Sequence, residues 1–467
     1  MLLKALLLVS MCLVVLPAQS DEKNDDRFAS VLSKSEQDSL RSKVRDWFDA
    51  QLTARDLTGP RRDAARRKED NAKEKFQREW DAKSKKRDLL ACVGDLKAIF
   101  AGCFSFDRQS GGSDVRGFKP RGAPPFDAVV PRRYRNDTPT PTVLVLRGHN
   151  ERGWVLANEW WSSTWKGISE ASDYLGVLPP LDNGMDLDPP LDLSKDAGAS
   201  QDNARYGTVL GAIGSANQIL HLDRDRIYLD CGQGSCLFGL RLAATFPQMF
   251  AGVILRSPTD PGEMRLASLT GLPILLLRTD ETKAVCQKLA DTLNKFEEGA
   301  CTLLDAKGEY PHGESGAEIV AWTNAKVRDM SRSRVVIANN YDTFRRAYWV
   351  QMGTAPSLLE VAGDARPYLE VSADRAANRI TVTARHVSDF GLYLNDALVD
   401  LDKDVTIVVN GKALAPMRFE RNLRKLCETI YRGRDPGAVF PADRTIEVPA
   451  GGAEPAAPAE AAESVGK

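Results

Sequence analysis

Between Asp225 and Arg256 the chain reads DRIYLDCGQGSCLFGLRLAATFPQMFAGVILR: an apolar β run, a glycine-rich turn, and at once a helix leading to a second β run. Four side chains at that turn bear on nucleophilic chemistry: Cys231, Gln233, Ser235 and Cys236. Covalent acyl transfer needs a hydroxyl or thiol that a neighbouring base can deprotonate. Ser235 supplies a hydroxyl. Cys236, in the first helical turn, supplies a thiol whose pKa a helix dipole can lower, while Cys231 sits at the strand end and points away from the turn apex. Small cysteines at a strand–helix junction also serve simply to pack it. Taken alone, His312 and Asp280 downstream read as a loop histidine and a helix-capping or loop acid, and His221 and His386 as structural.

The strand, glycine-rich turn and helix together resemble the nucleophile elbow, Gly-x-Ser-x-Gly, of the α/β-hydrolase superfamily, especially its secreted bacterial esterase and prolyl-oligopeptidase-like (peptidase S9-like) members. The resemblance runs across residues 125–330. Aligning the strand end and the helix Leu240-Arg241-Leu242-Ala243-Ala244 lays Cys231-Gly232-Gln233-Gly234-Ser235 on the motif, with Gln233 at the nucleophile position. A shift of two would place Ser235 there. The tight turn wants small residues two before and two after the nucleophile; Cys231 and Ser235 around Gln233 satisfy this, and Gln233 and Leu237 around Ser235 do not. The resemblance further implies an acid at Asp280, a histidine at His312 and an oxyanion region at Arg147, Gly148, His149 and Gly234, with Arg147 where the family carries histidine.

A carboxamide cannot become an attacking alkoxide, so Gln233 removes the acyl-enzyme route at that position. The elbow residue is also expected at positive φ, at a cost of about 1–2 kcal/mol for a non-glycine side chain.

The elements that must position these residues follow from the rest of the chain. Residues 1–20 have Lys4, an apolar run over 5–16 and small residues at 17–20, the pattern of a secretory signal peptide, so an exported protein, periplasmic or extracellular, is expected. Residues 21–108 are expected to be a charged helical segment broken at Gly59-Pro60, either a hairpin packed on the main body or a partner-binding arm, and 109–125 a linker rich in Gly, Ser and Pro. Over 126–330 strand-like and helix-like segments alternate, which predicts an α/β, doubly wound, mainly parallel sheet. Strands are expected at 142–146, 174–178, 226–230, 252–255, 273–277 and 302–304, and helices at 208–220, 235–246, 282–296 and 314–328. Residues 331–449 read as a β-rich module with a hairpin at Asn410-Gly411 and a helix at 422–431. Its Leu394-Asn395-Asp396, Val399-Asp400-Leu401 and 408–412 segments resemble a module attached to secreted hydrolase-like bacterial proteins. Residues 450–467, rich in Ala, Pro and Glu, are expected to be a disordered tail.

Composition excludes several function classes. Lys and Arg number 63 against 64 acidic residues, a formal net charge of -1, so no global field draws the protein to nucleic acid. No second long apolar stretch follows residue 16, and no membrane span is expected. No Cys-x-x-Cys or His-x-x-x-His spacing points to a metal, and no cofactor is expected. Of eight cysteines, seven remain after the leader, an odd number, with Cys92 and Cys103 the best candidate pair unless one continuous helix joins them. The main expectation is an exported, non-catalytic α/β-hydrolase-fold protein binding an unknown ligand or protein partner. The alternatives are an active serine hydrolase (esterase or peptidase) using Ser235, His312 and Asp280, and a structural envelope component.

Overall fold

The computed structural model describes residues 30–85, 87–168, 171–182, 185–188 and 200–449. The leader-like residues 1–20, the tail 450–467 and most of the acidic loop 182–202 lie outside the described residues. Helices α1 (Lys34–Arg55) and α2 (Gly59–Ser84) form the expected charged hairpin. Ser33 opens α1 with a reciprocal cap: its hydroxyl accepts the Glu36 amide while the Glu36 carboxylate accepts the Ser33 amide. Leu40, Val44, Trp47 and Phe48 on one side meet Phe76 and Trp80 on the other. Helix α3 (Val93–Phe100) follows, with Cys92 and Cys103 at its two ends, both free. Its eight residues rise about 12 Å, beyond disulfide reach, so the helical alternative for this stretch holds and the pairing does not.

The main sheet begins inside the stretch read as a linker, where β1 (Arg116–Phe118) pairs antiparallel with β2 (Phe126–Val129). Strand β3 (Thr140–Leu146) is followed by a small hairpin of β4 (His149–Asn150) and β5 (Gly153–Trp154), then α4 (Ala157–Thr164) and β6 (Leu175–Leu178). Next come α5 (Ser200–Ile219), β7 (Leu222–Cys231), α6 (Cys236–Thr245), β8 (Gly252–Arg256), β9 (Ile274–Arg278), α7 (Lys283–Phe296), β10 (Cys301–Asp305) and α8 (Gly316–Asn324). The strand order is β1-β2-β6-β3-β7-β8-β9-β10. From β6 to β10 every neighbouring pair is parallel. Strands 3, 6 and 8 are buried almost throughout, as a sheet covered on both faces requires. Along β3 the period of two divides the cores: Leu144 and Leu146 enter one, Val143 and Val145 the other. This is the α/β-hydrolase fold, doubly wound and mainly parallel.

The C-terminal module is a two-sheet sandwich. Strands β11 (Arg334–Ile337), β12 (Arg346–Ala347), β13 (Val350–Met352), β14 (Tyr368–Asp374), β15 (Arg379–Arg385), β16 (Asp389–Leu394), β17 (Thr406–Val409) and β18 (Lys412–Ala413) precede helix α9 (Leu423–Gly433) and β19 (Ala442–Glu447). The sheets run β11-β14-β15-β17-β18 and β12-β13-β16-β19, with Val371, Val382 and Ile407 of one facing Val350, Phe390 and Leu392 of the other in a single core. Asn410 and Gly411, both at positive φ, make the expected β17–β18 turn. Leu426, Cys427 and Ile430 of α9 enter the core of the α1–α2 hairpin, so the N-terminal helices pack on the C-terminal module.

Two sequence expectations change. The helix expected over 314–328 ends at Asn324, because Arg328 leaves it to pair with Asp225 (2.7 Å) and Asp435 (2.7 Å). The apolar run over 347–351, which by itself predicts one short strand, is instead the hairpin β12–β13.

Candidate functional site

The turn after β7 sits at the carboxyl edge of the parallel sheet, where strand ends converge. Its backbone is packed against the turn after β3. The Gly232 amide donates to the Leu146 carbonyl (2.9 Å) and the His149 amide to the Gln233 carbonyl (2.8 Å). A Cβ on Gly232 would stand 2.3 Å from the Trp160 ring and 2.6 Å from the Gly148 Cα, so only glycine admits this approach. Gly148 is equally confined, with the Tyr310 hydroxyl 2.0 Å from where its Cβ would be.

Gln233 is exposed at the tip, and its amide donates to the Tyr310 hydroxyl (2.8 Å). The left-handed position of this turn is Gly234 (φ 84°) and not Gln233, which corrects the expectation of strain at residue 233: the glycine absorbs it without steric cost. Ser235 is wholly buried, with its hydroxyl aimed at the carbonyls of Leu146 (3.0 Å) and Gly232 (2.9 Å). It does not cap the helix that it precedes. That role falls to Asp188 of the acidic loop, whose Oδ1 accepts the Leu237 amide (2.9 Å) and lies 3.4 Å from that of Phe238. Burial outweighs these hydrogen bonds and pushes the Asp188 carboxyl up to about 6. The thiols of Cys231 and Cys236 are buried, and burial drives both pKa values well above the usual thiol range. Cys236 donates into the carbonyls of Cys231, Gly232 and Arg256 (3.3–3.5 Å), the bonding of an inert packing residue.

The oxyanion region is similarly committed. Arg147 is buried, donating to the carbonyls of Val155 (2.7 Å) and Leu181 (3.2 Å), and burial lowers its pKa. His149 is exposed, its ring edge-on to Trp154, and its backbone N–H is already taken by Gln233.

His312 is 4% exposed and left-handed (φ 62°). Its Nδ1 faces the Gly308 carbonyl (3.2 Å) and its Nε2 the hydroxyl of Ser257 (3.1 Å). A carbonyl only accepts, so Nδ1 carries the proton and Nε2 is left to accept from Ser257. Burial, with Arg256 adding, lowers the His312 pKa and keeps the ring neutral. Asp280 lies exposed after β9 and makes no bond to His312 among the described residues. The sequence reading missed Ser257, which follows β8 directly, is 8% exposed and adopts φ 57°. The only sequence signal was its place at the end of a buried strand, before Pro258.

A buried ion pair ties these turns together. Asp230, next to the elbow, meets Arg256, next to Ser257, through Nε (2.8 Å) and Nη2 (3.1 Å), both side chains wholly buried. Arg256 also donates to the Pro311 carbonyl (2.9 Å) beside His312, and Trp165 Nε1 donates to Asp230 (2.7 Å). Tyr310 completes the cluster, its hydroxyl on Gln233 and its ring edge-on to His312 at 5.6 Å. No group of three or more metal-ligating side chains occurs among the described residues, and no helix among them is long and apolar enough to cross a membrane.

No protein-family model matches the chain, and no curated protein matches it. Solved structures similar to it include a thermostable esterase (16% identity, TM-score 0.32, covering 46% of this chain and 63% of that one). Two others are the fluorophosphonate-binding serine hydrolase F of Staphylococcus aureus (13%, 0.33, 46% and 99%) and an S-formylglutathione hydrolase from Agrobacterium tumefaciens (15%, 0.34, 47% and 98%). The fold rests on this chain's own strand order, that of an α/β-hydrolase sheet, and this chain carries a glutamine at the tip of the turn after β7.

Proposed function

We propose that this chain is an exported α/β-hydrolase-fold protein that binds a ligand or protein partner at the surface around Gln233 and performs no acyl transfer at its elbow. The reading is carried by the bonding of Ser235, whose buried hydroxyl is directed at two backbone carbonyls and so is withheld from any base. The exposed carboxamide of Gln233 at the tip supports it, as does the occupation of the His149 amide. The esterase and hydrolase chemistry of the similar structures belongs to those proteins. Labelling of the purified full chain with a serine-reactive fluorophosphonate tests the reading. No labelling is expected, and labelling lost in Ser235→Ala would overturn it.

A second reading has one observation in its favour, the Ser257–His312 hydrogen bond at 3.1 Å. A neutral imidazole oriented through Nδ1 suits a general base. In such a hydrolase Nε2 takes the Ser257 proton as Oγ bonds to the acyl carbon. The imidazolium then returns that proton to the leaving group, and water cleaves the acyl-enzyme. Labelling that survives Ser235→Ala and vanishes in Ser257→Ala is the signature of this route.

A further inference from the structure

At the opposite end of β7 from the elbow, roughly 30 Å along the strand, the α3 segment, the main sheet and the turn after α9 line a half-open cavity of about 70 Å³. Phe104, Phe106, His221, Asn217, Arg224 and Arg434 contribute to its wall. The Arg434 guanidinium lies over the Phe104 ring at 4.3 Å and over Phe106 at 5.7 Å, and Phe106 in turn stacks on His221 at 4.3 Å. Arg434 and Asn217 exchange bonds: Arg434 Nε donates to the Asn217 carbonyl and Asn217 Nδ2 to the Arg434 carbonyl, each at 3.1 Å. The two terminal nitrogens of Arg434 make no hydrogen bond or ion pair among the described residues.

The acids nearby are already spoken for. Asp223 pairs with Arg226 (2.7 Å), Asp225 with Arg328 (2.7 Å), and the carboxylate of Asp435 takes Arg328 through both oxygens at 2.7 Å. Arg224 reaches Asp435 only at 3.7 Å, and its Nε is buried without a partner. Among these guanidinium groups Arg434 is the one with no paired carboxylate among the described residues: Asp223 and Asp225 stand in the cavity wall but are engaged elsewhere, and Asp49, whose field reaches Arg434, accepts from the Ser105 hydroxyl. A half-buried cation stacked on aromatic faces and lacking a counter-ion is a site for an anion. The cavity's volume, under half that of the roughly 150 Å³ cavity that takes up benzene, suits a ligand of a few heavy atoms. The planar fork of a guanidinium matches a carboxylate with two oxygens.

We propose that this cavity binds a small free carboxylate of acetate size, held by the terminal nitrogens of Arg434, at the place where the N-terminal helices, the sheet and the C-terminal module meet. This site is separate from the surface around Gln233, and its fate does not depend on that reading.

The test is calorimetric titration and thermal melting of the full chain with sodium acetate, at an ionic strength held constant with chloride. Saturable binding and a rise in Tm with acetate but not chloride are expected, weakened about tenfold or more in Arg434→Gln. Should Arg434→Gln melt on its own, Ala101→Leu fills the cavity with every charge in place and is expected to abolish binding. Acetate acting no better than chloride would overturn the site. So would an unchanged response in both variants. Phosphate binding more tightly than acetate would overturn the carboxylate assignment.

Discussion

Two serines close adjacent parallel strands, and their surroundings differ completely. Strands β7 and β8 pair in register, Cys231 beside Leu255, so the turns carrying Ser235 and Ser257 leave the sheet side by side. Ser235 stands in the glycine-rich turn that looks built for chemistry, yet its hydroxyl is committed to carbonyls and wholly buried. Ser257 stands in an unremarked Ser-Pro turn, held left-handed, and meets the imidazole. A left-handed non-glycine residue costs on the order of 1–3 kcal/mol, and both Ser257 and His312 carry that strain. A hydroxyl's chemistry is set by what its proton can reach, and that depends on which strand end lies beside the histidine loop.

The ion pair beneath both turns gives the largest way to break this comparison. Asp230→Asn leaves Arg256 buried and uncompensated, and a loss of about 3–5 kcal/mol is expected in urea unfolding. A smaller effect is expected for Gly232→Ala, where the new methyl meets the Gly148 backbone as well as the Trp160 ring. A loss of about 1–3 kcal/mol should appear as a lowered denaturation midpoint.

Titration separates the two turns by sign. Asp188, which holds the helix after the elbow, has a folded pKa raised to about 6 from 3.8, so the folded protein binds its proton more tightly than the unfolded chain. Its contribution is therefore present in acid and falls as pH rises through about 4 to 6. The loss is on the order of 2–3 kcal/mol before screening at its partly exposed carboxylate, which reduces it. His312 runs the other way. Its folded pKa lies below 6.5, so its contribution is present above 6.5 and is lost as pH falls through the lowered value. Unfolding free energy measured against pH should lose the first slope in Asp188→Asn and the second in His312→Asn. The smallest effect is expected for Gln233→Ala, within about 0.5 kcal/mol, since its exposed side chain makes no hydrogen bond among the described residues.

The strand–turn–helix around Gln233 was legible because it is local: an apolar run, glycines and an amphipathic helix in one continuous segment. The alternation over 126–330 gave the parallel sheet for the same reason. Strand β19, with only Ala442 and Ile446 facing the core, left too weak a pattern to read, and β1 hid in a Gly-rich stretch taken as a linker. Asp280 and His312 occupy the places in chain order that the resemblance implies, but order along a chain carries no distance.

From sequence alone, then, came the period-of-two and helical patterns that build the sheet, and the presence of an amide rather than a hydroxyl at residue 233. Both are properties of neighbouring residues, and neighbours are fixed by the covalent chain. Only the tertiary structure decided that Ser235 faces carbonyls, that Ser257 faces His312, that Asp188 caps a helix 49 residues away, and that Arg434 has no ion-paired carboxylate among the described residues. Those outcomes depend on which loops the packed sheet brings together, and segments far apart in the chain carry no sequence mark of one another.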